Sequence, residues 1–223
     1  MPRPTLLSCA LAALAAAAAV AGCGGGSGTT TSNQPFEPRA SLRAVGGTVR
    51  TAKPQFVLHV VTRPTDANLR SLAVNLPPVV LVDTTSIGRL CTEREWKSDR
   101  CAGRQRLGFA HVVSPAYKGD LSGPVYAVSG SGPLPHLGYL LHGPTDIVLE
   151  GRVVSTGGRI QAGVEDLPDV PLKEFEFTLY GGMHGYLVLS RNICGATAVA
   201  DAKFTSQEGQ SHKEKVPLTA NCP

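Results

Sequence analysis

The chain has 223 residues, 42% hydrophobic and 17% charged. That balance suits a packed globular protein and excludes wholesale disorder. The net charge of +4 is spread along the chain, and no block of Lys and Arg interleaved with aromatics appears, so a nucleic-acid surface is not expected.

The N-terminus reads as an export leader. Arg3 is a short basic region, and Leu6 to Val20 is a mostly apolar run. It is too short for a comfortable membrane-spanning helix and suits the hydrophobic region of a signal peptide. It ends in Val20-Ala21-Gly22-Cys23. This tetrapeptide resembles the lipobox of bacterial lipoproteins. The resemblance implies that residues 1–22 are a lipoprotein signal peptide and that cleavage makes Cys23 the new N-terminus. It further implies that the Cys23 thiol carries diacylglycerol with fatty-acyl chains such as palmitate. The implied partner is then the membrane, on its extracytoplasmic face. The chemistry needs a thiol because the thiolate is the nucleophile that accepts the lipid. Residues 24–35 are mostly Gly, Ser and Thr without apolar period; they read as a flexible tether with a reach of roughly 20 Å.

A single domain is expected over residues 36–223. Gln55 to Val61 is apolar and β-branched, a buried strand. Leu69 to Leu76 and Val79 to Val82 follow, joined by Pro77 and Pro78. Thr92 to Arg100 suits a short helical turn anchored by Trp96. Leu107 to Val113 alternates as a strand; Gly123-Pro124 leads into Val125 to Val128, and Gly138 to Leu141 and Ile147 to Val154 read as strands. Thr156-Gly157-Gly158 is a tight hairpin turn into Arg159 to Val164. In Glu174 to Leu179, Phe175, Phe177 and Leu179 alternate with polar residues, which puts both phenylalanines on a buried face. Gly181 and Gly182 suggest a turn, after which Tyr186 to Leu189 returns as the partner of a hairpin ending near Cys194. Thr197 to Thr205 and Lys215 to Leu218 complete the set. With 25 Gly, 17 Pro and no sustained helical period, the expected fold is all-β: a two-sheet β-sandwich, jelly-roll-like, with a short helical segment between Cys91 and Cys101.

Cys9 lies in the leader. Cys91, Cys101, Cys194 and Cys222 remain besides Cys23, and an even number in an exported chain reads as disulfides. Three pairings exist; the spacing favours Cys91–Cys101 and Cys194–Cys222, each closing a local loop. CxxC spacing with helpful histidines is missing, so no metal or other cofactor is expected.

The order Leu76-Pro77-Pro78, Cys91, Cys101, Gly123-Pro124-Val125-Tyr126, the stretch LPHLGY from Leu134 to Tyr139, and DLPDVPLKEFEFTLYGG running on to Cys194 carries a second resemblance. It is similar to an uncharacterised exported all-β module that recurs, often in tandem, in envelope proteins of high-GC Gram-positive bacteria. The likeness spans residues 70 to 222, with one copy here. It implies a fold and a compartment and brings no activity. The Cys-Pro usual after the second cysteine is Cys101-Ala102 here.

Three stretches invite chemistry. Ser129-Gly130-Ser131-Gly132 lacks the spacing of a nucleophile elbow and leads into Pro133, so it reads as a loop. His136, His142 and His184 are the histidines a zinc site would draw on, without a supporting spacing; His59 sits inside an apolar strand. Glu165, Asp166 and Asp169 form an acidic corner, suited to calcium or to acid–base work on sugars, with a solvated turn as the plain reading. No catalytic residue is assigned. The expected function is a lipid-anchored cell-envelope protein with a β-sandwich binding or structural module, whose partner is an envelope polysaccharide or protein. The alternative is an envelope glycan hydrolase acting through the acidic corner.

Overall fold

The structure, a computed structural model, describes residues 35–195 and 197–222. The leader, Cys23 and nearly all of the tether lie outside the described residues.

Eleven strands form one closed barrel. In chain order they are β1 (Arg39–Val45), β2 (Gln55–Val61), β3 (Leu69–Asn75), β5 (Arg106–Val113), β6 (Leu121–Val128), β7 (His136–Leu141), β8 (Ile147–Thr156), β9 (Arg159–Val164), β10 (Glu174–Leu179), β12 (Val199–Ser206) and β13 (Ser211–Ala220). Two short strands, β4 (Val80–Val82) and β11 (Leu187–Leu189), pair only with each other. Around the ring the order is β1-β13-β12-β3-β9-β8-β7-β6-β5-β10-β2. Every neighbouring pair is antiparallel except β1 with β13, where Leu42 lies opposite Leu218 in parallel. An odd ring cannot close on antiparallel pairs alone, so one parallel pair is the minimum.

The chain is therefore all-β, as expected, but the two-sheet sandwich is corrected to a closed barrel. The physical difference is β1. It pairs along its length with β2 and bridges to β13, so neither of those strands is left as an open edge.

The expected hairpin of Glu174–Leu179 with Tyr186–Leu189 is also corrected. β10 lies between β2 and β5, with Phe177 opposite Leu58 on one side and Ala110 on the other. The chain leaves β10 through Gly181, where an added Cβ would sit 2.5 Å from the Lys53–Pro54 backbone, and through Gly182 at φ +79°. This close approach diverts β11 away from β10 and across the barrel end. There Leu187 pairs with Val82 and Leu189 with Val80. The Leu189 backbone also bonds Thr51 and Ala52, at 2.8 and 2.9 Å.

The barrel thus has two unlike rims. The lower is plugged by β4 and β11. The upper carries the loops 62–68, 114–120, 142–146, 165–173 and 207–210. Gly157 and Gly158, at φ +58° and +73°, make the expected two-residue turn between β8 and β9, with Thr156 opposite Arg159.

Outside the wall, α1 (Glu93–Lys97) is capped by Thr92 and Glu95 in a reciprocal capping box. Its Trp96 is buried against Tyr126, Val128 and Leu140. Gly138 makes the slot: a Cβ there would lie 2.6 Å from Trp96 Nε1. The disulfide Cys91–Cys101 staples this segment, and Cys194–Cys222 ties the C-terminus back, with Cα separations of 5.5 and 5.7 Å.

Candidate functional site

Strand alternation gives every wall of the barrel an inward apolar row. Leu42, Val60, Leu72, Val125, Phe177 and Phe204 all point into one core. Outward positions carry charge instead, with Arg43, Arg152, Lys203 and Lys213 exposed. This is the inverse of a membrane-spanning barrel, whose outer face is apolar. Barrel diameter grows with strand number, and about eight strands already suffice to hold one small ligand. Eleven strands leave interior space that these side chains do not fill.

That space takes the form of two cavities of about 80 Å³ each. The lower runs from Phe56 and Leu58 to Ile160 and ends on Tyr186 and Leu187 of the plug. The upper runs from Val60 and Leu121 to Tyr117 and Leu172 beneath the upper loops. Leu72, Tyr139, Val164 and Phe175 line both. Tyr139 is the partition. Its ring stands edge-on to Phe177 at 5.6 Å and tilted to Phe175 at 6.3 Å. It fits because Gly151 lies behind it, where a Cβ would come 3.0 Å from the ring.

Polar groups are few and specific. Burial alone raises the Tyr139 hydroxyl well above the usual phenol range, with no hydrogen bond contributing. Tyr186 is 4% exposed, and its hydroxyl has no hydrogen-bond partner among the described residues. Burial pushes its pKa up to about 12. Both phenols are therefore neutral at physiological pH.

The segment 165–173 closes the upper rim. Leu167, Val170 and Leu172 line the upper cavity. Two buried hydroxyls pin the segment: Thr62 donates to the Leu172 carbonyl and Ser114 to the Pro171 carbonyl. The Gln207 side-chain amide donates to the Leu167 carbonyl at 2.8 Å, and the Leu167 N–H bonds the Arg70 carbonyl at 2.9 Å.

The acidic corner lies on the outside of this same segment. Glu165 and Asp169 are exposed, Asp166 is 3.8 Å from Arg70 with its side chain 85% exposed, and Asp169 accepts from Asn68 at 2.8 Å. The structure does not gather the three into a ligand set: among the described residues no group of three His, Cys, Asp or Glu could hold a metal ion. The histidines are dispersed likewise, with His136 on Glu150 at 2.6 Å and His142 on Asp146 at 3.0 Å. Ser129 to Gly132 forms the loop between β6 and β7. Neither Tyr139 nor Tyr186 stood out in the sequence. The only signal was their place in apolar rows, Tyr139 next to Leu140 and Tyr186 ahead of Leu187.

No protein-family profile matches the chain, and no curated protein matches it. Among solved structures, a crystal structure of an inactive mutant of the GH20 exo-β-N-acetylglucosaminidase from Vibrio harveyi matches with a TM-score of 0.33 at 10% identity, over 82% of this chain. The chain spans 18% of that protein's length, and a likeness so remote carries no argument about fold or activity.

Proposed function

We propose that the chain is a lipid-anchored envelope protein whose barrel is a binding module for a small apolar ligand held in its interior. The observation that supports this reading is the pair of contiguous cavities with almost wholly apolar walls. An apolar cavity of about 150 Å³ lined by Leu, Ile and Phe stays dry and takes up benzene; the two cavities together are of that order. A sugar would leave its hydroxyls unpaired on such walls, so an envelope polysaccharide is not the interior ligand. In the acidic corner Asp166 lies beside Arg70 and Asp169 accepts from Asn68, and the residues lining the two cavities include no Asp or Glu, which favours binding over the hydrolase alternative. Lipidation of Cys23 fits this reading.

The test uses the full chain carrying Cys23→Ser, which removes acylation and so avoids detergent. Calorimetric titration with benzene should show saturable binding. Ala162→Phe places a ring into the lower cavity from β9 and should weaken that binding while the protein stays folded. Equal binding by both proteins, or none by the parent, would refute the interior site.

A further inference from the structure

We propose that a groove on the outer wall of the barrel binds an acidic glycan, a sugar chain bearing anionic groups, between Arg152 and Lys203. The site stands independently of the interior cavities. Its walls follow from the register of five neighbouring strands. Arg152 of β8 lies opposite Gly163 of β9, Gly163 opposite Ala73 of β3, Ala73 opposite Lys203 of β12, and Lys203 opposite Lys213 of β13. Their chain neighbours Val153, Val164, Leu72, Phe204 and others belong to the core, so this row faces outward. Gly163 and Ala73, with little or no side chain, form a floor flanked by cations. With strands about 4.8 Å apart, the Arg152 and Lys203 backbones stand roughly 14 Å from each other. The groove has a volume of about 340 Å³, within the range of ligand sites.

The first ground is uncompensated charge. Lys203 and Lys213 are exposed and directly opposite, and like charges so placed are destabilising. Neither they nor Arg152 has an ion-pair partner among the described residues. The nearby carboxylates are taken by other groups: Asp201 by Arg159 at 2.6 Å and Lys215 at 2.5 Å, and Glu150 by His136 at 2.6 Å. Three cations therefore share one row without a counter-charge, and an anion seated in the groove supplies it. Glu165 is the one carboxylate that lines the groove. It follows Val164, the last residue of β9, and so lies beyond the cationic row.

The second ground is the neutral polar lining. Ser71 and Thr205 lie opposite each other on β3 and β12 and line the groove together with Gln161. Their side chains make no hydrogen bond among the described residues, and hydroxyl and amide groups both donate and accept. Sugar hydroxyls use both capacities, whereas a bare carboxylate or phosphate only accepts. No aromatic residue lines the groove, so nucleobases find no stacking platform there. β9 and β3, which form the floor, are paired on both sides, so an acidic peptide cannot join the sheet through its backbone.

The experiment is an NMR titration of the full chain carrying Cys23→Ser with trigalacturonate at pH 7.5, with maltotriose and triglutamate as comparisons and sedimentation with phosphatidylglycerol vesicles alongside. Trigalacturonate should bind saturably, shift the amide signals of Ala73, Gly163 and Lys203, and bind more weakly as salt is raised. Maltotriose and triglutamate should each bind more weakly than trigalacturonate. Arg152→Gln with Lys203→Gln should weaken binding about tenfold without lowering Tm, because it relieves the repulsion with Lys213. Arg43→Gln with Lys118→Gln removes the same charge from exposed positions elsewhere and should leave binding unchanged. Ala73→Leu raises the floor without altering charge and should weaken binding, while Glu165→Gln should tighten it. Absent trigalacturonate binding, maltotriose or triglutamate binding as well, or equal losses from the two double variants would each overturn the assignment. Vesicle binding that is lost in Arg152→Gln with Lys203→Gln would also overturn it, making the row a membrane contact. None of these outcomes bears on benzene uptake, which tests the interior site separately.

Discussion

Phe177 tests the inward register of the barrel most directly. It is 9% exposed, packs edge-to-face with Tyr139 at 5.6 Å and lies opposite Ala110 of β5. One position away on β5, Phe109 lies opposite Thr178 and points outward, 41% exposed. Two phenylalanines of neighbouring strands therefore sit on opposite faces of one wall. Phe177→Ala loses buried ring surface and the aromatic contact. Core Phe→Ala changes cost about 3 to 5 kcal/mol, with about 0.5 to 1.5 kcal/mol attributable to an aromatic pair. Phe177 borders space that is already unfilled, so its neighbours make fewer contacts with it than in a close-packed core, and the lower end, about 3 kcal/mol, is expected. For a domain of this size that corresponds to a Tm lower by roughly 6 to 12 °C. Phe109→Ala should stay within about 0.5 kcal/mol of the parent. Thermal and urea denaturation with both disulfides intact measures the pair. Equal shifts, or a larger loss for Phe109→Ala, would mean that β5 and β10 are slipped by one residue, which inverts every inward side chain, and the cavity walls would have to be redrawn.

Removing the terminal staple with Cys194→Ala and Cys222→Ala should cost up to roughly 3.6 kcal/mol in the chain-entropy model for its sequence separation of 28, against roughly 2.7 kcal/mol for the Cys91–Cys101 loop at 10; a double variant as stable as the parent would refute the tie. Acid should destabilise the fold through Asp83 and Asp201. Lys53 and Thr85 lower the first carboxyl, and Lys215 and Arg159 the second, below the ordinary 3.8. Lowered folded-state values mean that this stabilisation is present above the unfolded pKa and lost as pH falls through about 4 and below. Asp83→Asn with Asp201→Asn should flatten the stability profile there, and an unchanged slope would contradict the assignment. In a host competent for lipoprotein processing, Cys23→Ser should abolish retention in the membrane fraction, since diacylation is enough for stable anchoring; a variant that still partitions fully into detergent would place the anchor elsewhere.

Several features were legible because they are local. Apolar, β-branched composition located β2 and period-two alternation β10 at their observed limits, Gly157-Gly158 marked the β8–β9 turn and the start of β9, and loop spacing picked both disulfides from three pairings. Thr92 and Trp96 marked the short helical segment on the outer wall. These signals depend on neighbours within a few residues, and backbone dihedrals and side-chain period are set at that range.

Tertiary structure decided what each strand lies beside. β10 pairs with β2 and β5, over a hundred and about sixty residues earlier in the chain, and no turn residue encodes a partner so far away. The Gly181-Gly182 pair looked like a hairpin, yet contact with Lys53 and Pro54 sends the chain to the plug instead. β1 has a weak pattern, and only its pairing with both β2 and β13 closes the ring. The cavities belong to the same class of fact. Alternation shows that Phe175 and Phe177 face inward, but whether inward side chains fill the space depends on ring size and on the volumes contributed by eleven strands at once, a sum that exists only when the barrel is closed.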